Sequence, residues 1–173
     1  MSSPVSDGKW YETKGVESLA SPALLVYADR VEENCRRMLR IAGDPQRIRP
    51  HIKTHKMPAI VELQLLMGFT KFKCATVAEA EMAANSGARD LLLAYQPVGP
   101  AVQRFFDLAR HYPNVQFSVI ADDASTVRAL SEHAARNRSA TGGTSLEVLL
   151  DLDIGQHRTG ITPDERAVEL YKL

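Results

Sequence analysis

The chain has 173 residues and lacks most of the features that mark a specialised class of protein. Its two cysteines, Cys35 and Cys74, are too few for a disulfide framework and are typical of free thiols in a reducing cytoplasm. Basic and acidic residues both number 21, so no excess of charge indicates a nucleic-acid partner. The absence of a run of about 18 apolar residues, and of an apolar amino-terminal segment, argues against a membrane span or secretory signal. We therefore expect a globular cytoplasmic protein.

The hydrophobic pattern predicts strands and helices that alternate at intervals of about 20 to 25 residues. Predicted strands cover residues 48–53, 71–75, 90–95, 115–121 and 146–153. Predicted helices cover residues 29–41, 58–67, 78–86, 100–112 and 123–136, and another begins at Pro163. A short apolar run over 22–27 also has strand character, and a polar loop is predicted over 137–144. This alternation is typical of βα units that form a parallel sheet.

An open doubly wound sheet and a closed eight-stranded barrel both fit this pattern. No Gly-x-Gly-x-x-Gly follows a predicted strand, so the usual dinucleotide site is not supported. Polar residues collect instead where predicted strands end, which in a barrel is the active-site face. These residues are Lys53, His55, Thr76, Tyr95, Gln96, Asp122, Asp123, Asp153 and Gln156. Thr76 and Asp123 also have a simpler interpretation as helix caps.

The run Arg49-Pro-His-Ile-Lys-Thr-His-Lys56 contains the main candidate for a chemical site. On a continuous strand, His51, Lys53 and His55 share one face, and Lys56 lies on the other. Three basic groups on one face favour an anionic ligand, and a lysine amine forms an imine with an aldehyde cofactor. The alternatives are a solvated basic strand end and a metal site. The two histidines would be about 13 Å apart on a strand, too far to share one ion.

Three segments together resemble the D-threonine aldolase and D-serine dehydratase family, which is related to alanine racemase. They are Arg-Pro-His-Ile-Lys-Thr-His-Lys (49–56), Lys-Phe-Lys-Cys-Ala-Thr-Val-Ala-Glu-Ala-Glu (71–81) and Asp-Leu-Asp-Ile-Gly-Gln-His-Arg-Thr-Gly-Ile (151–161). The resemblance implies a fold-type III protein that binds pyridoxal 5′-phosphate in a (β/α)8 TIM-type barrel with a second β-domain. Residues 28–173 would then form about five of eight βα units, and residues 1–27 an arm and a strand of the β-domain. A whole barrel needs about 250 residues, so we expect the chain to be part of a longer polypeptide.

The resemblance also implies roles for individual residues. Lys53 would be the imine-forming lysine on the first barrel strand, with Lys56 a weaker alternative. Arg158, in the Gly-x-x-Arg turn, would lie near the phenolic oxygen of the cofactor, where a guanidinium stabilises the phenolate. The other cofactor-binding candidates lie near these motifs and have no assigned role; they are His51, His55 and Gln156.

The implied activity is that of a pyridoxal phosphate-dependent lyase acting on D-amino acids. An aldolase would cleave D-threonine or a related 3-hydroxy D-amino acid to glycine and an aldehyde, whereas a dehydratase would convert D-serine to pyruvate and ammonia. An amino-acid racemase is a further alternative, and a non-catalytic carrier of pyridoxal phosphate is the alternative from a different class. The family also implies a homodimer and a divalent metal, zinc or manganese, whose ligands we expect outside this chain.

Overall fold

In a computed structural model of the chain, which describes residues 9–137 and 146–173, strands and helices alternate as predicted. The strands are β1 (Lys71–Cys74), β2 (Asp90–Leu93), β3 (Gln116–Ala121) and β4 (Glu147–Leu150). The helices are α1 (Ala28–Ala42), α2 (Pro58–Leu66), α3 (Val77–Asn85), α4 (Pro100–His111), α5 (Ala124–Asn137) and α6 (Glu165–Tyr171). From residue 138 onward, the polar loop predicted over 137–144 lies outside the described residues.

The strands form one four-stranded parallel sheet in the order β1-β2-β3-β4. Consecutive strands therefore lie side by side, without the reversal of strand order that defines a doubly wound sheet. A barrel requires this sequential order. The predicted α/β class is confirmed, and of the two architectures the strand order favours part of a barrel.

One face of the sheet packs against the helices and forms the core. Alternate strand residues are buried there, and they include Phe72, Leu91, Leu93, Phe117 and Val119. The helices bury apolar side chains in the same cluster, and the Phe105 ring on α4 packs edge-on against Phe117 with centroids 5.9 Å apart. The intervening strand residues, such as Lys73 and Leu92, belong to the opposite face and are only half-buried. The helices thus leave that second face of the sheet open for a site.

The strand predicted over 48–53 does not form, and residues 48–50 have no regular secondary structure. His51 makes a single parallel bridge with Lys73, and Ile52–Thr54 then form a 3-10 turn. In this turn His51 Nδ1 accepts a hydrogen bond from Lys53 N (3.3 Å), and Ile52 O accepts one from His55 N (3.2 Å). The prediction that His51, Lys53 and His55 share one face of a strand is therefore wrong.

A two-point ion pair fixes the segment before this turn to the sheet. Arg49 Nη1 and Nη2 donate to Asp90 Oδ1 (2.6 Å) and Oδ2 (3.1 Å), and Pro50 O accepts from Lys73 N (2.8 Å). The Arg49 and Asp90 side chains are only 28% and 19% exposed, so solvent screens the pair weakly. These contacts position the residues that lead into the turn.

Two further sequence predictions concern the run over 22–27 and the start of the final helix. The run 22–27 pairs with no strand in the described part of the chain, so its assignment to a second domain stays a prediction. The final helix begins at Glu165 rather than at Pro163, because the Asp164 side chain accepts a hydrogen bond from Arg166 N and caps the helix. None of the described helices combines the length and apolar character that crossing a membrane requires.

Thr76 and Asp123 are helix caps, as their simpler interpretation predicted. Thr76 Oγ1 accepts from Glu79 N (3.1 Å) at the start of α3. Asp123 Oδ1 accepts from the backbone amides of Ser125 (2.9 Å) and Thr126 (3.0 Å) at the start of α5. Hydrogen bonds from the hydroxyls of Ser125 and Thr126 lower the pKa of Asp123 to about 2.

Replacing Asp123 with alanine is expected to lower the free energy of unfolding by about 1 kcal/mol at neutral pH, the usual cost of losing a helix cap. The unfolded pKa is about 3.9 and the folded pKa is about 2, so the carboxylate stabilises the fold above pH 4. Its contribution is lost as the pH falls from about 4 towards 2. Urea unfolding of both proteins at pH 7 and pH 3 measures this, and an equal difference at the two pH values would contradict it.

Candidate functional site

A cavity of about 590 Å³ opens at the carboxyl ends of the parallel strands. This is the size of pocket that holds a cofactor or a small substrate. The walls come from the turn that follows His51, from the ends of β1, β2 and β3, and from the segment after β4. The cavity lies on the side of the sheet where barrel enzymes place their active sites.

Lys53 reaches the cavity from the 3-10 turn and not from a strand. His51 also lines the cavity, and its Nδ1 holds the Lys53 backbone amide. Partial burial, followed by the positive charges of Lys53 and Lys73, lowers the pKa of His51. The imidazole is therefore neutral near pH 7 and keeps the acceptor that the turn needs.

Arg158 and Thr159 line the same cavity from a tight turn after β4. The turn is closed at its base by a bridge between Leu152 and Ile161. Inside it, Asp153 Oδ1 accepts from Gly155 N (3.0 Å) and His157 N (2.9 Å). These hydrogen bonds, led by that from His157 N, lower the pKa of Asp153 and keep it a carboxylate. The structure therefore brings Lys53 and Arg158, which lie far apart in the sequence, to one cavity.

Two of the predicted cofactor-binding residues do not line this cavity. His55 Nδ1 accepts from Met57 N (3.1 Å) and so caps the chain that leads into α2, while burial lowers its pKa. Gln156 is exposed on the turn. Lys56, the weaker candidate for the imine lysine, also lies outside the cavity, and its Nζ is 3.4 Å from Glu79 Oε1.

The polar residues predicted at the strand ends divide into two groups. Tyr95, Gln96 and Asp122 line the cavity with Lys53. The others do not, and two of them are the helix caps already described. Asp122 Oδ2 accepts from Gly160 N (2.9 Å), which joins the end of β3 to the turn that carries Arg158.

Sequence reasoning missed Lys73 and Asp151, which also line the cavity. A signal for Lys73 was available, because Phe72 and Cys74 are apolar and strand alternation sends Lys73 to the face opposite the core. In the described part of the chain, no acidic side chain pairs with Lys73. Its ammonium is therefore available to an anion in the cavity.

The cavity residues suit an anionic, largely flat cofactor. Positive charge comes from three residues that line one space, Lys53, Lys73 and Arg158. Ala75, Ala94, Val98 and Ile120 add apolar wall against which a ring can pack. By contrast, the described residues contain no group of three histidine, cysteine, aspartate or glutamate side chains that could hold a metal. The expectation that metal ligands lie outside this chain is not tested by that result.

A family model described as the alanine racemase N-terminal domain matches residues 26–173 of the chain. The chain is 32% identical over 157 residues to the 3-hydroxy-D-aspartate aldolase of Paracoccus denitrificans strain Pd 1222, which covers 89% of the chain and 39% of that protein. The D-threonine aldolase of an Arthrobacter species is 30% identical over 152 residues, covering 87% of the chain and 38% of that protein.

Solved structures of related enzymes are also similar to the chain. The crystal structure of D-threonine aldolase from Filomicrobium marinum superimposes with a TM-score of 0.75 at 33% identity, covering 87% of the chain and 39% of that structure. D-threo-3-hydroxyaspartate dehydratase from Delftia sp. HT23 superimposes with a TM-score of 0.71 at 26% identity, covering 88% of the chain and 39% of that structure. The chain thus spans about two fifths of the length of the relatives it matches.

Proposed function

Because the chain belongs to the alanine racemase N-terminal domain family, we propose that it is part of a pyridoxal phosphate-dependent lyase acting on D-amino acids. The observation that carries the proposal is the meeting of Lys53 and Arg158 in one cavity at the carboxyl ends of a parallel sheet. The family is dependent on pyridoxal phosphate. The activity is proposed for the polypeptide that contains this chain. The proposal includes about five βα units of a barrel in residues 28–173, a β-domain contribution from residues 1–27, and a homodimer.

In this proposal Lys53 Nζ would hold the cofactor covalently, and the Arg158 guanidinium would serve as a hydrogen-bond donor to its phenolic oxygen. When bound, the cofactor supplies an electron sink for the bond that breaks at the substrate Cα. His51 fixes the backbone of Lys53 through Nδ1. Lys73 offers its positive charge to the carboxylate that every amino-acid substrate carries. The apolar wall keeps water from the reacting atoms.

The reaction we favour is aldol cleavage of a 3-hydroxy D-amino acid. A base takes the β-hydroxyl proton, the Cα–Cβ bond breaks, and the products are glycine and an aldehyde. The second candidate is dehydration, in which a base removes the Cα proton and the β-hydroxyl leaves as water. The enamine product tautomerises to an imine, which water hydrolyses to a 2-oxo acid and ammonia. The Lys53 amine is the group in the cavity suited to take that Cα proton. A zinc or manganese ion on ligands outside this chain is part of the proposal, and one variant of a D-threo-3-hydroxyaspartate dehydratase has been solved in a metal-free form.

Product analysis with the polypeptide that contains this chain tests the proposal. The protein is incubated with pyridoxal phosphate, with and without zinc or manganese, and given D-threonine, 3-hydroxy-D-aspartate or D-serine. Glycine with an aldehyde identifies an aldolase, and ammonia with a 2-oxo acid identifies a dehydratase. Appearance of the L-enantiomer would identify a racemase. Bound cofactor without turnover of any of these amino acids would contradict the lyase proposal and favour the carrier.

A further inference from the structure

We propose that Asp122 is a positioning residue that fixes the Arg158 turn against the end of β3. Its role in the turn follows from the described structure alone, and its importance for cofactor binding rests on the function proposed above. Asp122 lines the cavity directly after β3, and its Oδ2 accepts from Gly160 N at 2.9 Å across 38 residues of sequence. Gly160 lies two positions after Arg158, so this contact ties the arginine to a neighbouring strand.

The hydrogen bonds within the turn are local and do not hold Arg158 against the neighbouring strand. Asp153 organises the turn from within, through the amides of Gly155 and His157. The bridge between Leu152 and Ile161 closes its base. These contacts fix the internal shape of the turn, and Asp151 N ties its base to Ala121 O (2.9 Å); the Asp122 carboxylate adds a second tie to the end of β3, on the arm of the turn that follows Arg158.

Asp122 is itself held in place through its backbone. Its backbone amide donates to Gln96 Oε1 (3.2 Å), and Gln96 lines the same cavity from the chain that follows β2. Directly after β4, Asp151 N donates to Ala121 O (2.9 Å), which continues the pairing with β3 by one hydrogen bond. Asp122 therefore joins the chain after β2, through its backbone amide, and the turn after β4, through its carboxylate, to the end of β3. Its negative charge also offsets part of the positive charge of Lys53, Lys73 and Arg158 around the cavity.

Limited proteolysis without cofactor tests the contact directly, because trypsin cleaves the bond between Arg158 and Thr159. Loss of a hydrogen bond to a charged group costs about 1.5–3 kcal/mol, which corresponds to roughly 10- to 100-fold more frequent opening. Asp122→Ala is therefore expected to be cleaved at this bond about 10- to 100-fold faster than the wild type. Asp122→Asn keeps an acceptor oxygen and is expected to lie between the two, so the test stands even if the alanine variant fails to fold.

Asp123→Ala is the matched control, because this neighbouring carboxylate caps α5 and does not line the cavity. It is expected to leave cleavage after Arg158 within about twofold of the wild type, well below the melting temperature. Equal acceleration in the Asp122 and Asp123 variants, or no acceleration with Asp122→Ala, would overturn the proposal.

Cofactor titration then tests whether the turn acts on the cofactor. Asp122→Ala is expected to weaken pyridoxal phosphate affinity about 10- to 100-fold by the same energy. In an Arg158→Ala background the effect is expected to shrink to about twofold, since Asp122 acts through the arginine. Full additivity of the two substitutions would overturn this role. A wild type that binds no cofactor would overturn the proposed function and the coupling to it, while the proteolysis result would still decide the contact.

Discussion

Replacing Lys53 with alanine is expected to abolish covalent retention of pyridoxal phosphate and to lower kcat/KM by at least about 1,000-fold. The alanine has no amine to hold the cofactor or to take a proton. Because Lys53 is exposed and its backbone contacts do not depend on the side chain, the free energy of unfolding should change by less than about 0.5 kcal/mol. Borohydride reduction followed by peptide mapping measures the retention, and the wild type should carry a pyridoxyl adduct on Lys53.

Lys56→Ala is the matched control for this experiment. Lys56 is three residues away, equally cationic, and pairs with Glu79 outside the cavity. Lys56 is exposed and its partner Glu79 is buried, and Glu79 keeps a hydrogen bond from Ala75 N (2.7 Å) without the lysine, so activity and adduct formation should persist. Lys53→Arg distinguishes the effect of the positive charge from that of the covalent link, because arginine keeps the charge and cannot form the link. An adduct on Lys56, or a Lys53→Ala protein that keeps its activity, would contradict the assignment of Lys53 as the lysine that binds the cofactor.

Replacing Gly160 with alanine is expected to lower the free energy of unfolding by about 3 kcal/mol, the sum of backbone strain and overpacking. Gly160 has a φ of +95°, and a Cβ there would lie 2.6 Å from Asp153 N and 2.7 Å from Leu152 C. Both are backbone atoms at the base of the turn, so the turn itself must move. Because Arg158 lies on this turn, cofactor affinity should fall along with stability.

Gly155→Ala distinguishes the cost of backbone strain at a positive φ from the cost of a steric clash of the added Cβ. Gly155 also has a positive φ, +117°, but nothing lies within 4 Å of the position its Cβ would take. It should cost only about 1–2 kcal/mol of strain and leave cofactor affinity nearly unchanged. Urea unfolding and cofactor titration of both variants give the comparison. Equal effects at the two positions would show that the close approach of Gly160 to the backbone is unimportant.

The parallel sheet was predictable because each strand carries its signal within its own sequence. The Leu91-Leu92-Leu93 run and the polar residues after each strand required no knowledge of distant contacts. The 3-10 turn at Lys53 was not predictable from β-branched Ile52 and Thr54. His51 Nδ1 accepts a hydrogen bond from the backbone amide of Lys53, and this side-chain contact competes with continuation of the strand.

The candidate site was predictable only in part for a related reason. Lys53 and Arg158 belong to recognisable motifs, whereas the tie between Asp122 and Gly160 spans 38 residues and has no local signature. His55 and Gln156 were predicted from their nearness to motifs in the sequence. Both residues lie on turns within those motifs, and neither lines the cavity. Adjacency along the chain is therefore a poor guide wherever a motif lies on a turn.

The ion pair between Arg49 and Asp90 has a consequence for reading genetic variation in this protein. Asp90 begins β2, at the opposite end of the strand from the cavity, yet it anchors the residues that lead to Lys53. Losing one member of a half-buried pair leaves its partner charge uncompensated. A selection for enzyme activity would thus recover Asp90 substitutions among the inactive alleles, although this carboxylate does not line the cavity. Such alleles should be rescued by growth at lower temperature, which distinguishes them from alleles that remove the lysine itself.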